Sequence, residues 1–442
     1  MKTIKLALLG GAALAVMAAG AQADDLSDLK AQIESLNARV AQMEAAPAVP
    51  AGYQLLTVSE GSQPVIPGLD VLRKDALAMG NKATVIGILP TADAPASTEI
   101  TWSGYARAAV VYQDWNSKWY DQVGNHIVTF EDDGIDVYAR GQIKVTGKTD
   151  TAVGEVGATI EMRGNLQGHR GAYDRVYIEQ AWGWWAMTPE LTLGGGFAGS
   201  LANVGYGYDG ACNCYYTDNA DVAFNPGDTS QMRLTYGSGP FEIAMALEDA
   251  GNSSASGSDL GVTGRIKWSG DTLNGSINGG YWNGTNGIDD AYQIGAGVGF
   301  ALGDMASISI GAAAGHTHFP LTAVGWPVGC ANPALCGSGE GANWWGASIL
   351  GSVNLSDSVH AELAYGYKRY GNDNTGVVNV GIVDSMTNHA ILGGIYYDPV
   401  SQLTIGLEGE WTRQTRNFVP TIVEGKNKSN LVTLDLVTVF RF

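Results

Sequence analysis

From Ile100 to Phe442 the chain repeats one pattern. Segments of about ten residues alternate apolar and polar side chains, and clusters of Gly, Asp and Asn separate them. Successive side chains on a strand point to opposite faces, so each segment reads as a strand with one apolar and one polar side. At 134–149, Ile135, Val137, Ala139, Ile143 and Val145 share a side, opposite Asp136, Tyr138, Arg140, Gln142, Lys144 and Thr146. At 152–165, Val156, Ala158, Ile160 and Met162 oppose Glu155, Thr159, Glu161 and Arg163. The last stretch puts Val432, Leu434, Leu436, Phe440 and Phe442 on one parity and Thr433, Asp435 and Arg441 on the other.

The pattern predicts sixteen strands: 100–115, 134–149, 152–165, 175–187, 190–200, 230–237, 240–249, 259–269, 272–283, 290–302, 305–316, 343–356, 359–370, 386–397, 402–416 and 430–442. Short connections such as Ser238-Gly239, Gly303-Asp304 and Ser356-Asp357 alternate with longer ones, most of all 116–133, 201–229 and 317–342. An even strand number with alternating short turns and long loops describes a membrane β-barrel. In a soluble sandwich the apolar faces would meet each other. In a barrel they meet lipid, the charged faces line a lumen, and closure satisfies every backbone donor.

Composition agrees. Charged residues are 16%, against the usual quarter, and mean hydropathy is −0.02. There are 61 Gly, with 12 Trp and 19 Tyr. Trp182, Trp184, Tyr281, Trp282, Trp344, Trp345, Tyr396, Tyr397 and Trp411 fall near strand ends, the place of interfacial girdles. Phe442 is expected on the lipid side at the periplasmic rim, its strand paired with the first strand near Trp102.

The N-terminal part reads differently. Lys2 and Lys5, the apolar run Leu6–Ala19 and Ala21-Gln22-Ala23 describe a secretory signal over 1–23, too short for a spanning helix. Removing the two lysines takes the net charge from −19 to −21. Leu26, Leu29, Ile33, Leu36, Val40 and Met43 are spaced 3, 4, 3, 4, 3, a heptad seam predicting a coiled-coil oligomerisation helix over 24–46. Pro47 and Pro50 end it, and 47–99 reads as a Pro-bearing periplasmic linker with a small mixed segment and no motif. The transmembrane barrel occupies 100–442.

Four cysteines, Cys212, Cys214, Cys330 and Cys336, read as disulfides in an exported chain, with three connectivities open. Cys330 and Cys336 flank a Pro-containing loop. Cys212 and Cys214 are too close for a comfortable local bridge, which leaves bridging between loops open. No histidine lies near either pair, which weighs against metal. His316-Thr317-His318 puts two imidazoles on one strand face, read as rim rather than metal site. No nucleophile elbow, phosphate loop or dinucleotide fingerprint appears, and Gly194-Gly195-Gly196 lies within a strand. The reading is therefore a non-enzyme without cofactor, and pI 4.6 argues against nucleic acid.

The signal, the first strand ITWSGYARAAVVYQDW, the sixteen-strand period and the final VTVFRF resemble the alphaproteobacterial porin family over about 100–442. The resemblance implies a sixteen-stranded outer-membrane barrel, usually trimeric, with the third extracellular loop folded inward. Carried over by position, that loop is 201–229. It holds Asp209, Asp218, Asp221 and Asp228, and Cys212 and Cys214. Facing it on lumen parity stand Arg107, Arg140, Lys144, Arg163, Arg233, Arg265 and Lys267, and the implied constriction sets loop acids against wall arginines. The zipper resembles the periplasmic coiled coils of some porins. The implied role is passive diffusion of small hydrophilic solutes and ions, with a weak cation preference from the net charge. Two alternatives stand beside it: a substrate-specific channel, and a tether whose coiled coil reaches the cell wall.

Overall fold

The computed structural model describes residues 55–69, 78–88, 97–120, 126–166, 175–204, 214–215, 222, 224, 226–249, 260–284, 290–317, 342–371, 382–419 and 427–442. The expected signal and coiled coil lie outside them. The described residues from Leu56 on belong to one compact unit.

Eighteen strands are described: β1 Leu56–Ser62, β2 Lys82–Ile88, β3 Thr98–Tyr120, β4 His126–Thr151, β5 Gly154–Leu166, β6 Arg175–Ala186, β7 Leu191–Gly199, β8 Asp228–Ser238, β9 Phe241–Asp249, β10 Leu260–Ser269, β11 Leu273–Trp282, β12 Ala291–Leu302, β13 Ala306–His316, β14 Asn343–Ser356, β15 Val359–Gly371, β16 Ile382–Val400, β17 Leu403–Val419 and β18 Asn427–Arg441. Each of β3 to β18 pairs antiparallel with its neighbour in sequence, and β18 pairs with β3, from Arg441↔Tyr105 to Lys428↔Lys118. That closes a sixteen-stranded barrel whose strands match the sixteen expected ones. β3 and β4 run further than expected, through much of 116–133, because pairing between them persists where the apolar alternation stops.

The faces fall as the alternation requires. Met232, Leu234 and Tyr236 on β8, Ile243, Met245 and Leu247 on β9, and Leu434, Leu436 and Phe440 on β18 are exposed outside. Between them Arg233, Glu248 and Asp435 are buried inside. Phe442 exchanges both backbone hydrogen bonds with Gly104, 3.1 and 3.2 Å, and its exposed ring covers the bare Gly104 position. The expected pairing of the C-terminal residue near Trp102 is thus observed.

Two expectations need correction. The aromatics near strand ends do not all face outward. Tyr281, Trp345 and Tyr397 do, but Trp182, Trp184, Trp282, Trp344 and Tyr396 are buried on the lumen side. Tyr281-Trp282, Trp344-Trp345 and Tyr396-Tyr397 are sequence neighbours, so one of each pair must face in. The glycine run serves such a ring: a Cβ on Gly194 would lie 2.3 Å from the Trp182 indole.

The second correction concerns the linker at 47–99, whose described residues include two strands of the barrel's sheet. β1 pairs with β2 from Leu56↔Ile88 to Ser62↔Lys82. β2 pairs with β3 from Thr84↔Trp102 to Ile88↔Thr98, on the edge that β18 leaves open below Tyr105. The hairpin therefore continues the row of β18 down to the level of the β4–β5 turn. Its strands are only seven residues long, so no periodic signal of useful length marks it.

Candidate functional site

The lumen wall is built on β3, β4 and β5, where polar residues alternate inward. Arg107 and Arg140 face each other across the β3–β4 ladder, and Arg163 stands opposite Gln142 on β5. Tyr105 donates its hydroxyl to Gln142 Oε1 at 2.7 Å, and Arg163 Nε donates to the same oxygen at 2.8 Å. Gln142 donates to Glu161, which lies 3.8 Å from Lys144 Nζ. Arg163 also pairs with Glu179 at 2.6 Å. Buried charges persist in such networks only when paired and hydrogen-bonded, so this wall is rigid as well as polar.

The described residues between β7 and β8 lie against the lumen wall. At their start Ser200 Oγ and the Leu201 amide donate to the two oxygens of Glu248, at 2.7 and 3.0 Å, and Thr263 adds a third donor at 2.6 Å. Along the wall Asn278 donates to the Leu201 carbonyl at 2.8 Å. Gln293 donates to the carbonyls of Ala202 and Phe224, both at 2.8 Å. Phe224 stacks on Trp344, centroids 6.3 Å apart. Further across, the Tyr215 amide donates to Glu408 Oε1 at 2.5 Å, Arg107 donates to the Tyr215 carbonyl, and the Tyr215 ring meets Tyr396 edge-on at 5.3 Å. Leu201, Val204, Cys214, Tyr215, Val222 and Phe224 are all buried. The described residues of 200–227 thus meet the wall at β9 and, through Tyr215, at β17 and β3. Side-chain donors and acceptors on the wall satisfy their backbone groups where strand pairing cannot.

The basic residues expected to form the constriction divide. Arg107, Arg140 and Arg163 come together on adjacent strands. Arg233 and Arg265 stand on β8 and β10, well around the barrel. Arg265 pairs with Glu242 at 2.5 Å. Arg233 lies over Trp182 at 5.1 Å and donates to the carbonyls of Gly199 and Gly68, both at 2.7 Å. Of the loop acids, Asp209, Asp218 and Asp221 lie outside the described residues. Asp228 opens β8, exposed, on the outward parity of Met232 and Leu234. Cys214 is disulfide-bonded; its partner is outside the described residues, as are Cys212, Cys330 and Cys336. His316 stacks on outward-facing Tyr292, centroids 5.7 Å apart, and His318 is not among the described residues. Among the described residues no group of His, Cys, Asp and Glu is placed to hold a metal.

Sequence reading missed the residues that receive the loop: Glu248, Asn278, Gln293, Glu408 and Tyr396. Parity alone places Glu408, Glu410 and Tyr396 inward. It does not say that a loop amide 193 residues away meets Glu408. Val437 and Val439 break the polar rule of the lumen face, and that exception is the signal in the sequence that something covers the wall there.

No protein-family model matches the chain, and no curated protein matches it in sequence. Solved structures match in fold. The outer membrane channel DcaP of Acinetobacter baumannii aligns with a TM-score of 0.56 and 14% identity, over 80% of this chain and 99% of that one. OmpT of Vibrio cholerae, expressed in the outer membrane, aligns with a TM-score of 0.50 and 12% identity, over 78% and 98%. The chain has the porin-like fold of outer-membrane channels. Its closed antiparallel barrel and apolar outer belt place it in the bacterial outer membrane.

Proposed function

We propose that the protein is a passive channel through which small hydrophilic solutes and ions cross the outer membrane. The observation that carries this is the inner wall: Arg107, Arg140, Lys144, Glu161, Arg163 and Glu179 line the inside of a barrel whose outside is apolar. Charged, hydrogen-bonded walls substitute for hydration as a solute passes, and apolar solutes gain nothing from them. Arg107, Arg140 and Arg163 form the basic side of the constriction, and the loop at 201–229, with Asp209, Asp218 and Asp221 but without outward-facing Asp228, forms the other side. The protein works as a homotrimer, with the heptad seam at 24–46 assisting assembly. Acidic residues crowd the long β3–β4 hairpin, where Asp114 faces Asp133 and Asn116 faces Glu131, and this supports a weak cation preference.

Single-channel recording in a planar bilayer tests the reading. Stepwise ohmic conductance closing in three equal levels is expected, with a reversal potential of cationic sign under a salt gradient. Silence under all solutes would refute it. A second reading, a substrate-specific channel, is favoured by the inward segment that Glu248, Gln293 and Glu408 pin to the wall. Small currents blocked by one solute class would support that reading.

A further inference from the structure

The β1–β2 hairpin is closed far less economically than it could be. Ser62 and Lys82 are paired directly, so a two-residue Asn-Gly turn would join them. The chain instead runs on from 63 to 81. The register gives the direction of this excursion. Ile88 lies opposite Thr98, at the level of the β4–β5 turn, while Thr84 lies opposite Trp102, next to Gly104 and Phe442. The connected end of the hairpin therefore points into the barrel. It enters at the short-turn end, which is periplasmic in such barrels.

Two arms of the excursion are described, 63–69 and 78–81, and both sit on the inner wall. In the first, Ile66 and Leu69 pack on Trp182, Trp184 and Ala198. In the second, Ala78 and Met79 join Tyr105, Tyr215, Tyr396, Val437 and Val439. A lumen arginine holds each arm by a backbone carbonyl. Arg233 Nη1 donates to Gly68 O at 2.7 Å, and Arg441 Nε donates to Ala78 O at 2.9 Å. Each arm also has a left-handed glycine where it passes the wall. Gly68 (φ +70°) leaves 2.7 Å between its Cβ position and Thr235 Oγ1, and Gly80 (φ +68°) leaves 2.8 Å to Arg441 Cδ. Any side chain there would be strained and would clash. β8 and β18 are separated by β3 to β7 on the shorter way round, so the two attachments span a wide chord of the mouth. Arg441 also donates to the Tyr215 hydroxyl at 3.1 Å, which links this segment to the inward loop.

We propose that the arms 63–69 and 78–81 form a periplasmic plug, a second constriction below the inward loop, so that solute leaves the lumen beside it. This deepens the channel reading and rests on it. The apolar inner faces of Trp182, Trp184, Val437 and Val439 are its seat, which accounts for apolar side chains on a lumen wall.

The test replaces 63–81 by Asn-Gly and compares single-channel conductance with that of the full chain. A rise of about twofold or more is expected on widening one mouth. Conductance in the deletion alone also supports the plug, as a full closure, and overturns the open channel. Equal conductance overturns the plug and leaves the channel reading intact. If both are silent the channel reading fails, and a second measurement decides the plug. Met79→Cys, at a position 4% exposed, is expected to resist a bulky maleimide, while Val65→Cys, at 93%, reacts at once. Adding Arg441→Ala is expected to open Met79→Cys to the reagent, with folding checked by heat-modifiable gel mobility. Equal reactivity of Met79→Cys and Val65→Cys in the otherwise native chain would overturn the proposal.

Discussion

Glu408 is the point at which the far end of the inward segment is held, and its removal has a calculable consequence. The carboxylate accepts from the Tyr215 amide at 2.5 Å and from the Tyr396 hydroxyl at 3.1 Å. All three residues are buried. A hydrogen bond to a charged group contributes about 1.5–3 kcal/mol, and a buried donor left without its acceptor costs a similar amount. Glu408→Ala removes two such bonds, an upper bound of about 6 kcal/mol. Some of this is returned, because Glu408 faces Asp435 across the β17–β18 ladder and like charges opposed on a sheet disfavour pairing. A net loss of about 3 kcal/mol raises the population with Tyr215 detached by roughly a hundredfold. Glu408→Gln keeps an acceptor oxygen of the same reach and loses only the charge assistance, about half the strength of each bond. Hydrogen exchange at the Tyr215 amide reads the detachment directly, and open-channel current noise reads its effect on the pore. The expected order is native, Gln, then Ala, in rising exchange and rising noise. Exchange in Glu408→Ala equal to the native rate would refute the assignment of Glu408 as the anchor.

Three further outcomes are expected. Gly295→Val places a Cβ 2.4 Å from Val204 Cγ2 and 2.8 Å from Ala313 Cβ on β13, so the segment must lift from β12 and the wall must also give; conductance should change with some loss of barrel stability in urea refolding, and an unaltered channel would count against the seating of Val204. Ile310→Arg, at the middle of β13 on the outer face, should cost about 2–4 kcal/mol on refolding into bilayers, and a cost near zero would mean that this face does not meet lipid. Phe442→Ala uncovers Gly104 while leaving its backbone bonds, so a lower yield of heat-resistant barrel is expected, with normal conductance from what assembles; an unchanged yield would show the ring to be dispensable.

Which parts of this architecture were legible in the sequence follows from how far each signal reaches along the chain. The alternation of Ile135, Val137 and Ile143 with Asp136, Arg140 and Lys144 is local, and it identifies a strand and both its faces without reference to any partner. Sixteen such strands, with short turns at one end, leave closure as the arrangement without edges. The neighbouring aromatics Trp344-Trp345 and Tyr396-Tyr397 were equally readable, since parity sends one of each inward. A girdle assigned by position along the strand overlooks that. The hairpin of β1 and β2 was not readable: two seven-residue strands, whose partners are each other and the foot of β3, leave no period to detect.

By itself, then, the sequence determined the sixteen strands of the barrel and the two faces of each, because a strand's period of two is a property of neighbouring residues. The tertiary structure alone decided what fills the barrel. Glu408 meets Tyr215, Gln293 meets Ala202 and Phe224, and Arg233 and Arg441 meet the carbonyls of Gly68 and Ala78, all across separations that no local pattern encodes. Closure of the barrel creates the enclosed wall, and only that wall brings these donors, acceptors and apolar rings to the segments that need them.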